Sequence, residues 1–571
     1  MAFSTRRSFV IGAGSAAAAA AFPFFREASG QSRDAITEAD SDIRTLIERE
    51  RNVILATMEK EVIPGAAVCL VRDGKVVWVE GFGVTDRNSK RRVGTDTIFS
   101  IQSTSKNMTA TAIMLAVQRG VLDLDKPVTA YLSDFTVSSR FESRPQDKIT
   151  LRHLLNHSAG FTHDAPVGNN NYPDAPSFET HVRSIYDTWL RFPVGERLRY
   201  SNLGFDLAGL ILQTVMKRPF AECLANLVFD PIGMKDTTAV TENYVRRNNR
   251  AVGHDRGYDT VPLSLPFIPS GGVYTSARDM AKYLVFHINK GRVGRSEVMR
   301  EKQWDEMHTF ALPGAWSLGV AGGKLRFGDT DVQMFTHNGS GVGFGSVFRF
   351  YPQAKLGWAA LFTASTGGGY GWGAALTDEV LTRRYGKPTA RIRVEDFSAA
   401  SPPTSELQKF EGTWMGRGTN ATFKIDGDAL VVKRGQSEAK VKVISPIDIV
   451  LPPEGPGRNA TQLRYFQGRS GAMPHLLSLL GDGHLDYNDG PNDLLGPDRS
   501  EWDGFIGDYR TERWGKLEYE IKIYRKNGYL YGNEFRFIIE HKPGLFFTSD
   551  GEAVDFRGPI ATWRSIPLLK S

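Results

Sequence analysis

Cysteine is almost missing from this sequence. Two occur in 571 residues, Cys69 in AAVCLVRDGK and Cys223 in FAECLANL, with neither C-x-x-C nor metal-ligand spacing. A disulfide-stapled scaffold and a cysteine metal site are thereby excluded; buried free thiols are expected, with a single disulfide as the alternative. A long basic run is missing too. The 70 Lys and Arg and the 64 Asp and Glu are interspersed, so the formal charge of +6 describes a mixed, solvated surface rather than a nucleic-acid footprint. No serine stands in G-x-S-x-G, which argues against an α/β-hydrolase, and no phosphate-binding glycine loop or dinucleotide motif is convincing. Past residue 30 no apolar run is long enough to span a bilayer.

What is present suits a globular chain of several domains: 41% apolar and 11% aromatic residues, enough for a sizeable core. The start is read apart from the fold. Arg6 and Arg7 in STRRSFV precede the alanine-rich VIGAGSAAAAAAF, which Pro23 and Arg26 close, and small residues Ala28, Ser29 and Gly30 can admit a peptidase. Residues 1–30 therefore look like a twin-arginine export signal, a retained anchor being the alternative, and the expected location is periplasmic or secreted. An amphipathic segment, DIRTLIERERNVILATMEKEV, leads to two strands joined at Asp73-Gly74, a pair favoured in tight hairpins. A buried helix is expected from near Ser103, with others in LRHLLNH, SNLGFDLAGLILQTVMK and ARDMAKYLVFHINKG; strands are expected in MFTHNGSGVGFGSVFRFYP and LGWAALFTAS. The fold class is α/β (α+β): helices grouped beside an antiparallel sheet.

Composition shifts near residue 388, where KPTARIRVEDFSAASPPTSE reads as a linker. The β-prone tail carries a weak repeat, FEGTWMG at Phe410 and FIGDYRT at Phe505. Domains are accordingly expected at 38–388, with a linker at 389–404 and two small all-β barrel-like units at 405–500 and 501–571; one continuous β domain is the alternative.

Chemistry enters at FSIQSTSKNMTATAIML. Ser103 and Lys106 are i, i+3 at a helix start, so the amine can reach the hydroxyl through the first turn. A serine is a poor nucleophile until a neighbouring base takes its proton, and the helix N-terminus offers N–H groups to a developing oxyanion. The pattern alone is cheap, since a capping serine with a solvated lysine looks the same and Ser437 and Lys440 repeat it in the tail. Two further elements follow in order: Tyr200 and Asn202 form Y-x-N in GERLRYSNLGF, and His337 and Gly339 form H-x-G in FTHNGSGVGF, at gaps of 97 and 137 residues. Each is weak alone, and Tyr531 and Asn533 make a second Y-x-N. His153 and His157 stand i, i+4 with His163 nearby, but Leu154 replaces the glutamate of a zinc-protease helix, so structural or capping roles are expected of them.

The ordered set S-x-x-K, Y-x-N, H-x-G, with the phrases ITLRHLLNHSAGF, FDPIGMKDT and PSGGVYTSARDMAKYL, resembles the serine β-lactamase and penicillin-binding-protein superfamily over residues from about 40 to 388. The likeness is to its class C β-lactamase, D-aminopeptidase and esterase branch, and the tail units resemble the lipocalin-like domains of some D-aminopeptidases. The resemblance implies that Ser103 is acylated, Lys106 is its proton partner, Tyr200 a general base or shuttle and Asn202 a substrate contact. It also implies an oxyanion hole from the N–H groups of Ser103 and of Ser340, the residue after His337-Asn338-Gly339. His337 stands where β-lactamases carry a lysine that offers charge to a substrate carboxylate, so esters or amides without that carboxylate become the expected substrates. An esterase or D-residue-preferring peptidase is expected, needing no cofactor or metal, with a small ester, amide or peptide as substrate and no nucleic-acid partner. A homo-oligomer is left open, as are β-lactamase or DD-carboxypeptidase activity and a non-catalytic receptor for peptidoglycan fragments or β-lactams.

Overall fold

The computed structural model describes residues 41–570, other than 169–175, 255–265, 311–315, 366, 389–393, 417–418, 454–459, 470–471, 479–483, 490–498, 514–515 and 534. The expected export signal at 1–30 and the first part of the expected linker lie outside the described residues. The chain forms two compact units, each assembled from separate stretches. The first takes the chain up to Leu122, Met216–His308 and Gly319–Thr389; the second takes Asp123–Val215, Thr309–Leu318 and the chain from Ala390. Among the described residues five helices reach twelve residues or more: α1 (Ser41–Glu61), α2 (Ser105–Gln118), α3 (Asn202–Met216), α4 (Ala277–Ile288) and α5 (Ala374–Tyr385). None is long and apolar enough to cross a membrane.

The first unit is built on an antiparallel sheet of β1 (Gly65–Arg72), β2 (Lys75–Gly83), β3 (Ala321–Phe327), β4 (Thr330–Gly341), β5 (Phe344–Tyr351) and β6 (Leu356–Phe362), in the order β2-β1-β6-β5-β4-β3. The β1–β2 turn falls on Asp73 and Gly74, at φ of +52° and +74°, the left-handed geometry that an Asp-Gly pair adopts at little cost. From Gly65 to Val71 β1 is apolar rather than alternating because both its faces are covered. On one side α1 lays down Ile43, Leu46, Ile47, Ile54 and Met58, a helical stripe that joins Leu376 and Leu381 of α5 over Trp78 and Trp358. On the other, α4 approaches β6 so closely that a Cβ on Gly357 would lie 2.8 Å from Ile288 Cδ1. Cys69 and Cys223 are buried free thiols.

α2 is buried on all sides from Ser105 to Ala116, so its polar residues need partners inside. They find them: Thr109 Oγ1 donates to Pro269 O at 2.7 Å, and the Tyr283 hydroxyl donates to Asn107 Oδ1 at 2.7 Å while lying 2.9 Å from Thr111 Oγ1.

In the second unit the tail contains a nine-stranded antiparallel sheet between Gly412 and Asp489 and a closed eight-stranded barrel between Gly507 and Lys570. The weak repeat has a shared physical basis. In each half a 3-10 turn ends at the repeat's phenylalanine, and the aromatic four residues on donates back to it: Trp414 Nε1 to Phe410 O at 2.7 Å, Tyr509 OH to Phe505 O at 2.9 Å. The stray motifs of the tail also resolve. Ser437 and Lys440 are exposed on a strand, and Asn533, at φ of +53°, uses its amide oxygen to accept from Lys522 N at 2.9 Å in a hairpin.

The same unit joins the barrel to the segment before Tyr200. Arg191, whose side chain is 1% exposed, donates to Asp550 O at 3.1 Å and pairs with the carboxylates of Asp550 at 3.2 Å and Glu552 at 3.1 Å, while Arg564 shares Asp550 at 3.0 Å. Gly551 packs flat on this segment: a Cβ there would meet Arg191 O at 2.2 Å. Farther along, Arg197 donates to Met473 O at 2.8 Å and Glu196 accepts from Arg469 N at 2.8 Å.

Two buried histidines fix a pH limit for the first unit. His287 on α4 and His308 meet with ring centroids 5.4 Å apart, against Phe350 of β5. Burial pushes His308 down to about 3 and, with His308 beside it, carries His287 well below the ordinary histidine range. A histidine that refuses a proton only when folded stabilises fully above its unfolded value of about 6.5 and loses this as pH falls from there. At pH 5 the loss is about 2 kcal/mol for each such group. His287→Phe, which keeps the ring, should therefore shrink the stability difference between pH 7.5 and pH 5 by about 2 kcal/mol, read from urea midpoints. An unchanged difference would place the acid sensitivity elsewhere.

Candidate active site

The residues singled out from the sequence fall in both units. Ser103, Lys106, His337, Gly339 and Ser340 belong to the first; Tyr200 and Asn202 belong to the second.

In the first unit, a short strand at Ile98–Ser100 pairs with Tyr274–Ser276 and delivers the chain to a 3-10 turn, Gln102–Thr104, ahead of α2. Gln102 is held at φ of +48°, a left-handed conformation unusual for a side chain of its size, and its amide donates to Ser100 Oγ at 2.7 Å. The end of β4 presses on this turn. A Cβ on Gly339 would stand 2.0 Å from Ile101 O, so glycine is required by contact rather than by backbone angle. Ser346 Oγ donates to Ile101 O at 2.7 Å and accepts from Thr104 Oγ1 at 2.8 Å, tying β5 to the same turn. Ser103 is thus fixed by its neighbours.

Lys106 is fully buried. Its Nζ donates to Ser270 O at 2.7 Å and lies 3.2 Å from Ser103 Oγ. The carbonyl keeps one N–H engaged in either protonation state and leaves the amine directed at the hydroxyl. Ser270 lies in the PSGG phrase, within the short helix Ile268–Gly271, and its residue type does not mark the carbonyl that Lys106 uses.

His337 is 4% exposed, and its Nδ1 donates to Asn338 O at 2.7 Å, so the neutral ring carries its proton there. Burial first, and then the neighbouring Lys106, push its pKa down to about 3. His337 itself therefore carries no charge near neutral pH. Ser340 is exposed and its hydroxyl donates to Ser365 O at 2.5 Å, while the Tyr370 hydroxyl lies 3.0 Å from Gly339 O.

In the second unit Tyr200 and Asn202 sit where the chain enters α3. Tyr200 has aromatic neighbours: the rings of His157, Trp316 and His163 lie 4.5, 5.4 and 5.7 Å from it, centroid to centroid. Asn202 donates its amide to Asp164 Oδ1 at 3.2 Å, and Asp164 Oδ2 lies 2.8 Å from His163 Nδ1. Burial alone would raise the Asp164 carboxyl, but His163 beside it and the Asn202 amide outweigh that and hold it well below the usual carboxylate range. The three histidines have separate duties. His153 and Thr150 form a reciprocal cap on the helix Leu151–Leu155, whereas His157 and His163 face Tyr200. Among the described residues no three His, Cys, Asp or Glu side chains are placed to hold a metal ion.

The sequence pattern over this fold has known counterparts. The beta-lactamase family model matches residues 51–377, more than half of the chain. The chain belongs to the beta-lactamase family. It is 26% identical over 330 residues to Protein flp of Staphylococcus aureus strain COL, covering 56% of this chain and 62% of that one. It therefore spans about three fifths of the length of that curated relative. It is also 24% identical over 307 residues to the D-alanyl-D-alanine-carboxypeptidase/endopeptidase AmpH of Escherichia coli K12, covering 52% of this chain and 78% of that one. Two solved structures share the fold over 77% of this chain and 99% of theirs. One is the octameric penicillin-binding protein homologue from Pyrococcus abyssi, with a TM-score of 0.52 and 23% identity; the other is SurE with D-Leu, with 0.54 and 19%.

For this beta-lactamase family member the tight approach at Gly339 makes a specific demand. Gly339→Ala must push β4 from the Ile101 carbonyl, at a cost of about 3 kcal/mol if the sheet yields only partly. Gly323→Ala on β3, where nothing lies within 4 Å of an added Cβ, should cost far less. Urea midpoints of the two variants compare them; equal losses would show that the strand–turn contact is not the constraint.

Proposed function

We propose that this protein is an exported serine hydrolase that acts through an acyl-enzyme on Ser103, as an esterase or a D-residue-preferring peptidase or amidase. One observation carries the reading: a fully buried lysine amine, held by a backbone carbonyl, lies 3.2 Å from the hydroxyl of Ser103. A solvated lysine beside a capping serine has neither the burial nor the second anchor. In this reading Lys106 and Tyr200 carry the serine proton to the leaving group, Asn202 contacts the substrate, and the N–H groups of Ser103 and Ser340 receive the oxyanion. Gly339 keeps the strand close enough for that.

Substrate choice turns on His337. A buried imidazole that stays neutral offers no charge to a carboxylate, which favours esters and neutral amides. The second reading, a DD-carboxypeptidase or β-lactamase, is favoured by the likeness to AmpH. A receptor without turnover has no use for the Ser103–Lys106 contact. The arginine pair and alanine-rich stretch in residues 1–30 support export to the periplasm or beyond, and the octameric fold relative supports a homo-oligomer.

The protein is to be assayed with p-nitrophenyl esters, D-amino-acid amides, D-alanyl-D-alanine peptides and nitrocefin. A fluorophosphonate should add its mass to the peptide containing Ser103; labelling that survives Ser103→Ala removes the nucleophile. Lys106→Ala and Tyr200→Phe should each lower turnover by about 10² to 10⁴, the range of a lost proton transfer. Near-normal turnover in either variant defeats its role.

His337→Lys separates the two substrate readings. It should raise kcat/KM for nitrocefin or D-alanyl-D-alanine peptides relative to neutral esters by about ten- to a hundredfold, the scale of one charge-assisted contact. A uniform loss with an unchanged ratio would mean that His337 serves the proton network and does not sense substrate charge.

A further inference from the structure

His157 holds the chain on both sides of Tyr200. Its carbonyl accepts from Arg199 N at 2.8 Å, and its ring Nδ1 accepts from Ser201 N at 3.2 Å. Backbone and side chain of one residue thus bracket the tyrosine. The ring also lies against the phenol, with centroids 4.5 Å apart at 35°, and is 4.7 Å from Trp316 and 5.2 Å from Phe205. His157 is 3% exposed and sits at φ of +63°, a left-handed conformation costly for a ring-bearing residue. Such a backbone turns the imidazole back onto the segment around Tyr200, its partner Ser201 being 44 residues on in the chain.

An N–H donor at Nδ1 requires a lone pair there, so the ring is neutral with its proton on Nε2. The neighbouring anchors act on other atoms: Ser201 Oγ donates to Thr162 O at 2.6 Å, and Asn202 N donates to His163 O at 3.1 Å. These hold the residues after Tyr200. The His157 pair spans it.

We infer that His157 is a positioning residue for Tyr200, fixing the direction of the phenol through the Ser201 N–H. The inference rests on the reading of Tyr200 as a proton carrier. Groups charged or titratable near it include His163, Asp164 and Arg199, but the inference concerns the hydrogen-bond acceptor at Nδ1, which each variant below alters or keeps.

The test uses four variants of the whole chain with a neutral p-nitrophenyl ester. His157→Asn places an amide oxygen near the position of Nδ1 and suits a left-handed backbone. His157→Leu keeps bulk but has no acceptor. Tyr200→Phe and the double variant His157→Leu/Tyr200→Phe complete a cycle. His157→Leu should lower kcat about tenfold or more with KM changed less than about threefold, the pattern of an interaction needed mainly in the transition state. His157→Asn should recover most of that loss. In the Tyr200→Phe background the leucine substitution should cost little more, because the group it positions is gone. Three results overturn the inference: a leucine variant with normal kcat, an asparagine variant as poor as leucine when both melt within a few degrees of the unsubstituted protein, or a leucine penalty that persists undiminished without the phenol. Normal turnover in Tyr200→Phe instead defeats the reading of Tyr200, a distinguishable failure.

Discussion

The geometry of the first unit depends on a place where two backbones touch. β4 passes over the turn that carries Ser103 with no side chain between them, and the carbonyl of Ile101 fills the space a methyl group would take at Gly339. From that contact the rest follows in sequence. The turn must accept the left-handed Gln102; Ser346 and Thr104 can then close their hydroxyl chain; α2 starts in the direction that sends Lys106 inward to Ser270 O. Proteins store backbone strain where the surroundings over-determine the structure, and here a strand, a helix and a carbonyl do so together.

The second unit reaches the same rigidity by other means. The segment leading to Tyr200 has no long strand or helix of its own, and it is immobilised by contacts from outside it. His157 takes its last residues, Met473 and Arg469 take Arg197 and Glu196, and the barrel takes Arg191. Four charged groups sit inside this last contact, Arg191, Arg564, Asp550 and Glu552. Burial of charge is tolerated only where partners and geometry are good, and removing one partner of such a set costs about 3 to 5 kcal/mol. The tail is therefore built into the unit that carries Tyr200 rather than appended to it.

Much of this was legible beforehand where the signal is local. Asp73-Gly74 announced its hairpin, the apolar spacing of ARDMAKYLVFHI announced α4, and the echo of FEGTW in FIGDY reported a shared aromatic-to-carbonyl bond. The first motif predicts a helix start, and a 3-10 turn leads into α2 there. What escaped depends on groups that sequence does not mark. Ser270 acts through a carbonyl that every residue possesses. The i, i+4 spacing of His153 and His157 is visible and points to a metal ligand or a cap, whereas the left-handed backbone of His157 is not visible. Arg191 and Asp550 are 359 residues apart, and no periodicity links them. The discontinuous make-up of the two units has the same cause: chain order follows synthesis, while contact follows packing.

The seating of Gly551 on the Arg191 carbonyl bears on how such a chain can be inherited. A linker rich in proline and serine looks like a natural seam, at which ancestral genes could exchange one tail for another. Yet a crossover there would bring a foreign turn to a surface shaped for a glycine and two carboxylates. The tail is fitted not only to the stretch from Trp189 to Arg199 but also to Arg140, whose guanidinium lies 5.4 Å from the Phe547 ring.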